Sequence, residues 1–351
     1  MKKRFAIVPG DGIGVDVTRE AVKTLEAASR RGGFELELEH FELNADRYLE
    51  TGVTIPPGTH DRFREFDAVY MGAFGDPRVP DSAHARDILL GTRFELDLYI
   101  NLRPIRCISD RLCPLRDFRA KDIDFTVFRE NTEGMYVGMG GIFKKGTPDE
   151  VAVQEDVNTR KGVERVIRAA FEYAKAQGKT RVTMADKSNA MRFGHDLWLR
   201  CFREVAEEFQ GIEAQHLYID AMAMELIRNP AEFQVIVTCN LFGDIVTDLG
   251  AQLQGGLGMA ASGNIRPDGT SMFEPVHGSA PPLAGKDKAN PFGAVLTAAM
   301  MLEHTGLTDA AGWLEQAVAQ CLESGTCTED VGGKLGTAAT GDALAALVQG
   351  Q

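Results

Sequence analysis

Two aspartates, Asp244 and Asp248, stand four residues apart, directly after Asn240-Leu241-Phe242-Gly243 at the end of a β-branched run. That spacing sets both carboxylates on one face of a helix, near its N-terminus. Like charges this close are unfavourable unless a cation sits between them, and an all-oxygen donor set would suit Mg²⁺ or Mn²⁺. The competing reading is a solvated acidic turn favoured by the helix dipole. Arginines form a second group: Arg93, Arg103 and Arg106 in one short window, and Arg129 further on. Arg103 in Asn101-Leu102-Arg103-Pro104 follows an apolar run, and Arg129 follows residues 125–128. Both are expected at strand ends, where ligands of α/β sheets bind and a guanidinium grips a carboxylate with two bonds. Singly, each reads as a surface ion pair. Together, in an acidic chain, they suit a polycarboxylate.

Three further stretches carry chemistry. Lys187, in Ala185-Asp186-Lys187-Ser188-Asn189 just past a strand, is either a general base tuned by a nearby cation or an exposed turn lysine. Glu274-Pro275-Val276-His277-Gly278-Ser279-Ala280-Pro281 is a loop dense in Gly, Pro and Ser that can present backbone N–H groups to a phosphate or ribose. Gly10-Asp11-Gly12-Ile13-Gly14 imitates a dinucleotide-binding loop, but its third glycine comes one residue early. A tight strand-to-helix turn needing positive φ explains it at least as well.

Composition narrows the class. The 351 residues carry a net charge of −13, with 44% apolar and 25% charged residues. The length exceeds one ordinary core, so two domains or lobes are expected. The acidic balance disfavours nucleic acid, and an anionic substrate then needs its own cluster of cations. No run of about 18 apolar residues offers a membrane span, and residues 5–8 are too short for a signal-peptide core. The six cysteines lack CxxC pairs, which suits reduced thiols and a cytoplasmic protein.

The elements that must position these groups alternate. Strand-like runs at 5–8, 34–41, 68–71, 125–128, 182–184 and 235–238 are separated by helical patterns such as 15–28, 160–177, 196–209 and 291–304. Such alternation predicts an α/β fold with a largely parallel sheet. Residues 138–159, Gly-punctuated and alternating at Val151-Ala152-Val153, read as a hairpin-like excursion.

These stretches together resemble the β-decarboxylating dehydrogenase family, which holds the isopropylmalate, isocitrate, homoisocitrate and tartrate/malate dehydrogenases. The likeness runs from Pro9-Gly10-Asp11-Gly12-Ile13-Gly14 to Asp330-Val331-Gly332-Gly333, through Phe128-Arg129-Glu130-Asn131-Thr132-Glu133-Gly134-Met135-Tyr136, 240–248 and 274–281. Leu89-Leu90-Gly91-Thr92-Arg93-Phe94-Glu95-Leu96-Asp97 and Gly146-Thr147-Pro148-Asp149-Glu150-Val151 look most like the isopropylmalate branch.

The resemblance implies a two-lobed, non-Rossmann α/β fold with discontinuous lobes: 1–98 with 249–351 for the cofactor, and 99–248 for substrate and dimerisation, with an arm near 138–159. It implies NAD held by Asn189, Glu274, His277, Gly278, Ser279, Ala280 and Asn290. It implies Arg93, Arg103, Arg129 and Asp220 for the substrate, with Leu89 and Leu90 facing its variable group. Asp220, Asp244 and Asp248 are implied as ligands of Mg²⁺ or Mn²⁺, one of them from across a homodimer interface. Lys187 is implied as the base that takes the hydroxyl proton and Tyr136 as the acid that protonates the product enol. The expected partner is a small dicarboxylate hydroxy acid, with isopropylmalate ahead of tartrate or D-malate, and then homoisocitrate or isocitrate. A non-catalytic regulatory subunit is the other class of reading, but none of the implied catalytic residues is lost. In place of the family's ribose-binding acid, or the Lys-Tyr of NADP users, the chain has Pro282-Leu283.

Overall fold

The computed structural model describes residues 1–350. Its strands, in chain order, are β1 (Lys2–Gly10), β2 (Glu35–His40), β3 (Ala68–Ala73), β4 (Ile100–Arg106), β5 (Asp124–Glu130), β6 (Gly140–Phe143), β7 (Val151–Gln154), β8 (Arg181–Asp186), β9 (Glu213–Tyr218), β10 (Val235–Thr238), β11 (Ala261–Ile265) and β12 (Ser271–Pro275). The residues separate into two compact units. The first comprises Met1–Leu98, Arg106–Lys121 and the chain from Ala251 onward; the second comprises Tyr99–Ile105 and Asp122–Gly250. Residues 106–121, expected with the second lobe, thus pack with the first.

In the first unit the strand order is β2-β1-β3-β12-β11. All neighbours are parallel except β11 and β12, which form an antiparallel pair. Phe5, Ala6, Ile7 and Val8 are fully buried, as an unbroken apolar run in a parallel sheet requires. The edge strand β2 alternates Glu and Leu and is only half-buried. The helix Ile13–Gly32 follows β1 through the glycine turn and ends at Gly33 in the left-handed region. One apolar cluster holds Ala6, Val8, Phe63, Phe66, Val69, Met71, Ile88 and Leu98, with Leu89 resting part of its surface against it.

The glycine turn has a specific physical use. Gly12 has φ +57°, and a Cβ there would come within 2.1 Å of the Ser279 carbonyl oxygen. Ile13 N–H donates to that same oxygen at 2.8 Å. The glycines therefore let the β1 turn seat directly on the His277 loop, a tight-turn role rather than a dinucleotide cradle.

In the second unit the order is β4-β5-β10-β8-β9, with β5, β10, β8 and β9 parallel. Its helix Arg160–Ala176 starts at Thr159, whose Oγ1 accepts from Gly162 N–H at 3.0 Å. That helix buries Val163, Val166, Ile167, Ala170, Phe171 and Ala174 at helical spacing. Emptying the Phe171 position would cost about 3–5 kcal/mol. The excursion at 138–159 is an antiparallel hairpin of β6 and β7. Its Ile142, Phe143, Val151 and Val153 are each more than half exposed.

Two expectations need correction. Arg103 does not follow its strand but lies inside β4, whereas Arg129 is the penultimate residue of β5, at the strand end as expected. The apolar runs end before the strands do, because a guanidinium with enough acceptors can be buried within a sheet. Arg106 is exposed and faces Glu315 at 3.8 Å, outside the arginine cluster.

Candidate active site

A cluster of buried and half-buried polar side chains lies in the second unit, around the helix Asn240–Leu253 that follows β10. Asn240, Gly243, Asp244 and Thr247 recur at i, i+3, i+4 and i+7, so they share one face. Arg129, 1% exposed, is received by that face. Its Nε and Nη2 donate to Asn240 Oδ1 at 3.1 and 2.8 Å, and its Nη1 donates to Asp244 Oδ1 at 2.5 Å. Gly243 makes room, since a Cβ there would sit 2.5 Å from Arg129 Cγ. Arg103 Nη1 donates to Thr247 Oγ1 at 2.5 Å, and its Nη2 lies 3.5 Å from Asp244 Oδ1. Tyr136 enters from the turn Met135–Val137 and donates its hydroxyl to Asp244 Oδ2 at 2.8 Å. Asn240 and Thr247 had been given no role from the sequence. Their signal was the helical spacing to Asp244.

Asp248, one turn beyond Asp244, has its carboxyl pushed above the usual carboxylate range by burial and then by the Asp244 charge. Mutual repulsion of this kind is what a divalent cation relieves, and the donors are oxygen alone, so the pair fits a hard metal. Asp220 does not join it. Among the described residues no three acidic, His or Cys side chains converge on one point. Asp220 instead accepts from Lys187 Nζ at 2.5 Å, which holds its carboxyl below the usual range. Lys187 stands just after β8, where its backbone N–H donates to His195 Nδ1 at 2.9 Å. Asn189 is exposed in the same turn.

The first unit holds the other nominated residues. Arg93, buried, donates through Nη2 to Glu274 Oε1 at 2.8 Å, and Asn264 Nδ2 donates to the same oxygen at 2.9 Å. Glu274 therefore neutralises Arg93 from the end of β12. Leu89 and Leu90 lie half-buried in a π-helical turn, Asp87–Gly91, two residues before Arg93. In the loop after β12, His277 and Ser279 are buried, Gly278 is exposed, and Ala280 has φ +36°. Burial pushes the His277 imidazole below its usual value. Its Nδ1 lies 3.1 Å from the Gly278 carbonyl, whereas the buried Nε2 has no hydrogen-bond partner. An orphaned ring nitrogen in a loop of small residues fits a ligand with its own donor, as a nucleotide has. Asn290 Nδ2 donates to Asp330 Oδ2 at 2.9 Å, and Asn290 Oδ1 accepts from Phe292 N–H at the start of the helix Phe292–His304.

A sequence profile described as isocitrate/isopropylmalate dehydrogenase matches residues 4–345. The chain belongs to that family. It is a decarboxylating dehydrogenase, and its mostly parallel α/β architecture is that of solved family members rather than a Rossmann arrangement. It is 45% identical over 350 residues to the 3-isopropylmalate dehydrogenase of Thermobifida fusca, covering 99% of this chain and 98% of that one. A protein of the same description from Nocardia farcinica is also 45% identical, with 98% and 100% covered. Among solved structures, the isocitrate dehydrogenase of Methylococcus capsulatus matches with a TM-score of 0.90 at 35% identity, covering 99% of both chains. The TT0538 protein of Thermus thermophilus gives 0.89 at 34% identity, covering 99% of this dehydrogenase and 68% of that chain.

Proposed function

We propose that this dehydrogenase converts (2R,3S)-3-isopropylmalate to 4-methyl-2-oxopentanoate with reduction of NAD, a step of leucine biosynthesis in the cytoplasm. The observation that carries this reading is the cluster in which Arg129, Arg103 and Tyr136 meet at Asp244. Two guanidinium groups, a phenol hydroxyl and a carboxylate side by side support roles as carboxylate grips, proton donor and metal ligand. The full-length relatives described as 3-isopropylmalate dehydrogenases support the substrate.

In this reading Arg93, Arg103 and Arg129 bind the substrate carboxylates, and Leu89 and Leu90 line the place of the isopropyl group. Glu274, His277, Gly278, Ser279, Ala280, Asn290 and Asn189 hold the dinucleotide, which accepts the hydride when bound. Asp244 and Asp248, joined by Asp220 of a second subunit, would hold Mg²⁺ or Mn²⁺, which acidifies the hydroxyl and stabilises negative charge on that oxygen. Lys187 Nζ, from the same second subunit as that Asp220, takes the proton from the hydroxyl. Tyr136 Oη gives a proton to the carbon from which CO₂ has left. Buried Arg129 holds its guanidinium rigidly through Asn240, so no reorganisation is needed as charge develops.

The exposed hairpin supports a homodimer. Two strands alone are marginally stable in water, and β6 and β7 expose Ile142, Phe143, Val151 and Val153. A second copy of the hairpin offers the same apolar edge for an isologous contact. No helix among the described residues is long and apolar enough to cross a membrane.

The test is a substrate panel with NAD and Mn²⁺, comparing kcat/KM for 3-isopropylmalate, D-malate, tartrate, isocitrate and homoisocitrate. The expected order puts 3-isopropylmalate first. A higher value for D-malate, tartrate or isocitrate would overturn the substrate and leave the family membership intact.

A further inference from the structure

The turn that carries Lys187 is closed by a histidine that the reaction does not otherwise use. Lys187 O accepts from Ala190 N–H at 2.9 Å and from Met191 N–H at 2.8 Å. Its own N–H, lying beyond the end of β8, is taken by the ring of His195 at 2.9 Å. Both backbone groups of Lys187 are therefore committed, and the ring supplies one of the three bonds. His195 begins the second position of the helix Gly194–Ala206 and is fully buried.

The donor in this contact is a backbone amide, so Nδ1 must be bare. A neutral ring then carries its proton on Nε2. That nitrogen has no hydrogen-bond partner, and Asp156 Oδ2 lies 3.9 Å from it, too far for a bond but close enough for charge to orient the N–H. Asp156 is itself fixed, accepting from Asn158 Nδ2 at 2.8 Å, while Asn158 Oδ1 accepts from Trp198 Nε1 at 2.8 Å. The edge of the ring also packs on Phe242, with centroids 5.3 Å apart. Asp156 and Asn158 form the root of the β6–β7 hairpin, where Gly134 N–H donates to Val157 O at 2.7 Å. Burial, which lowers the basicity of His195, keeps the ring neutral.

We propose that His195 is a positioning residue for Lys187, holding its turn through the bare Nδ1 of an imidazole whose Nε2–H faces Asp156 at the root of the hairpin. The inference rests on the reading of Lys187 as the base. A backbone N–H left without its acceptor swings the lysine stem, and misplacement by about 1 Å can cost 10²-fold in rate.

The experiment compares His195→Leu, which removes the acceptor, with His195→Asn, whose Oδ1 takes the place of Nδ1. Both are assayed as full-length enzyme with NAD, Mn²⁺ and 3-isopropylmalate. His195→Leu should lower kcat about 10–100-fold with KM within about threefold, and His195→Asn should recover kcat to within about threefold of the unmodified enzyme. Decarboxylation of a supplied 2-oxo acid should fall less than oxidation in His195→Leu, a split that general loosening of the fold does not produce. Equal loss in the Leu and Asn variants, a loss confined to KM, or an unaffected Leu variant would overturn the proposal. If His195→Leu does not fold, His195→Gln replaces it: its acceptor sits at the Nε2 position, and activity equal to that of His195→Asn would overturn the proposal. Lys187→Met separates the two readings. Retained turnover there refutes the base itself, whereas an inactive Lys187→Met beside an unaffected His195→Leu refutes the positioning alone.

Discussion

Tyr136 donates its hydroxyl to Asp244 Oδ2 across 2.8 Å, so the side chain assigned to protonate carbon and a carboxylate assigned to the metal are already joined within one chain. Lys187 is joined in the same way to Asp220. Asp220 stays out of the Asp244–Asp248 pair, since no three such ligands converge among the described residues. Under the proposed function these pairs would be two half-sets, to be completed by a second subunit.

Subunit sharing is testable by complementation. Lys187→Met and Asp244→Asn homodimers should each be nearly inactive, losing about 10²–10⁴-fold. After reversible dissociation and equal mixing, about a quarter of the unmodified activity should return, because half the dimers are hybrid and each hybrid has one intact site. Verified hybrids without activity would count against sharing.

Metal binding should act through Asp248. In the metal-free protein its folded-state pKa is raised, chiefly by burial and next by Asp244. The group therefore opposes folding increasingly as pH climbs from the ordinary carboxylate value through the raised one. Asp248→Asn removes that penalty, so the metal-free variant should melt no lower than the unmodified protein at neutral pH. Saturating Mn²⁺ at a hundred times its Kd should stabilise the unmodified protein by about 2.7 kcal/mol, and the variant far less at the same concentration. An undiminished Mn²⁺-induced rise in Tm would remove Asp248 from the ligand set.

Substrate choice should depend on the π-helical turn. Burying the isopropyl methyls against Leu89 and Leu90 is worth about 0.8 kcal/mol per carbon. A third carboxylate in that place loses water without a partner, costing several kcal/mol by comparison with other buried charges, ~3–5 kcal/mol. Replacing both leucines by Ala should lower kcat/KM for 3-isopropylmalate about tenfold or more and leave D-malate nearly unchanged. Part of the Leu89 side chain rests on the apolar core, so Leu90→Ala alone is the cleaner measurement. Parallel losses for both substrates would show that the leucines do not read the variable group.

Coenzyme choice should favour NAD with modest discrimination. A 2′-phosphate needs a cation or donor, and Pro282-Leu283 provides neither. The absent ribose acid, in turn, leaves little to repel the phosphate. A ratio of kcat/KM between NAD and NADP of about 10–100 is expected from one missing charge-assisted contact. A preference for NADP would overturn it.

The order of elements was legible from periodicity. The run at 235–238 is β10 itself, and the helical pattern from 160 ends within one residue of the helix Arg160–Ala176. Apolar spacing reports which face a residue buries, and burial is what sets these elements. Where polar residues lie inside strands the signal fails, so β4 extends over Arg103 without announcing it. The antiparallel β11–β12 pair was also silent, because Ser262, Asn264 and Glu274 interrupt the apolar pattern with buried polar groups.

By itself the sequence determined the residue types and local spacings: two aspartates one helical turn apart, a glycine turn, a loop of small residues around His277, and the family these motifs mark. Only the tertiary structure decided the partners. Arg129 and Asp244 are separated by more than a hundred positions yet bonded at 2.5 Å, and the Arg93 guanidinium is met by Glu274 from a strand far along the chain. His195 lies eight residues after Lys187, and its role depends on a ring turned back onto the Lys187 amide with Asp156 behind it. Local sequence sets which groups are near in the chain. A hydrogen bond also needs distance and direction, and between distant residues those come from packing.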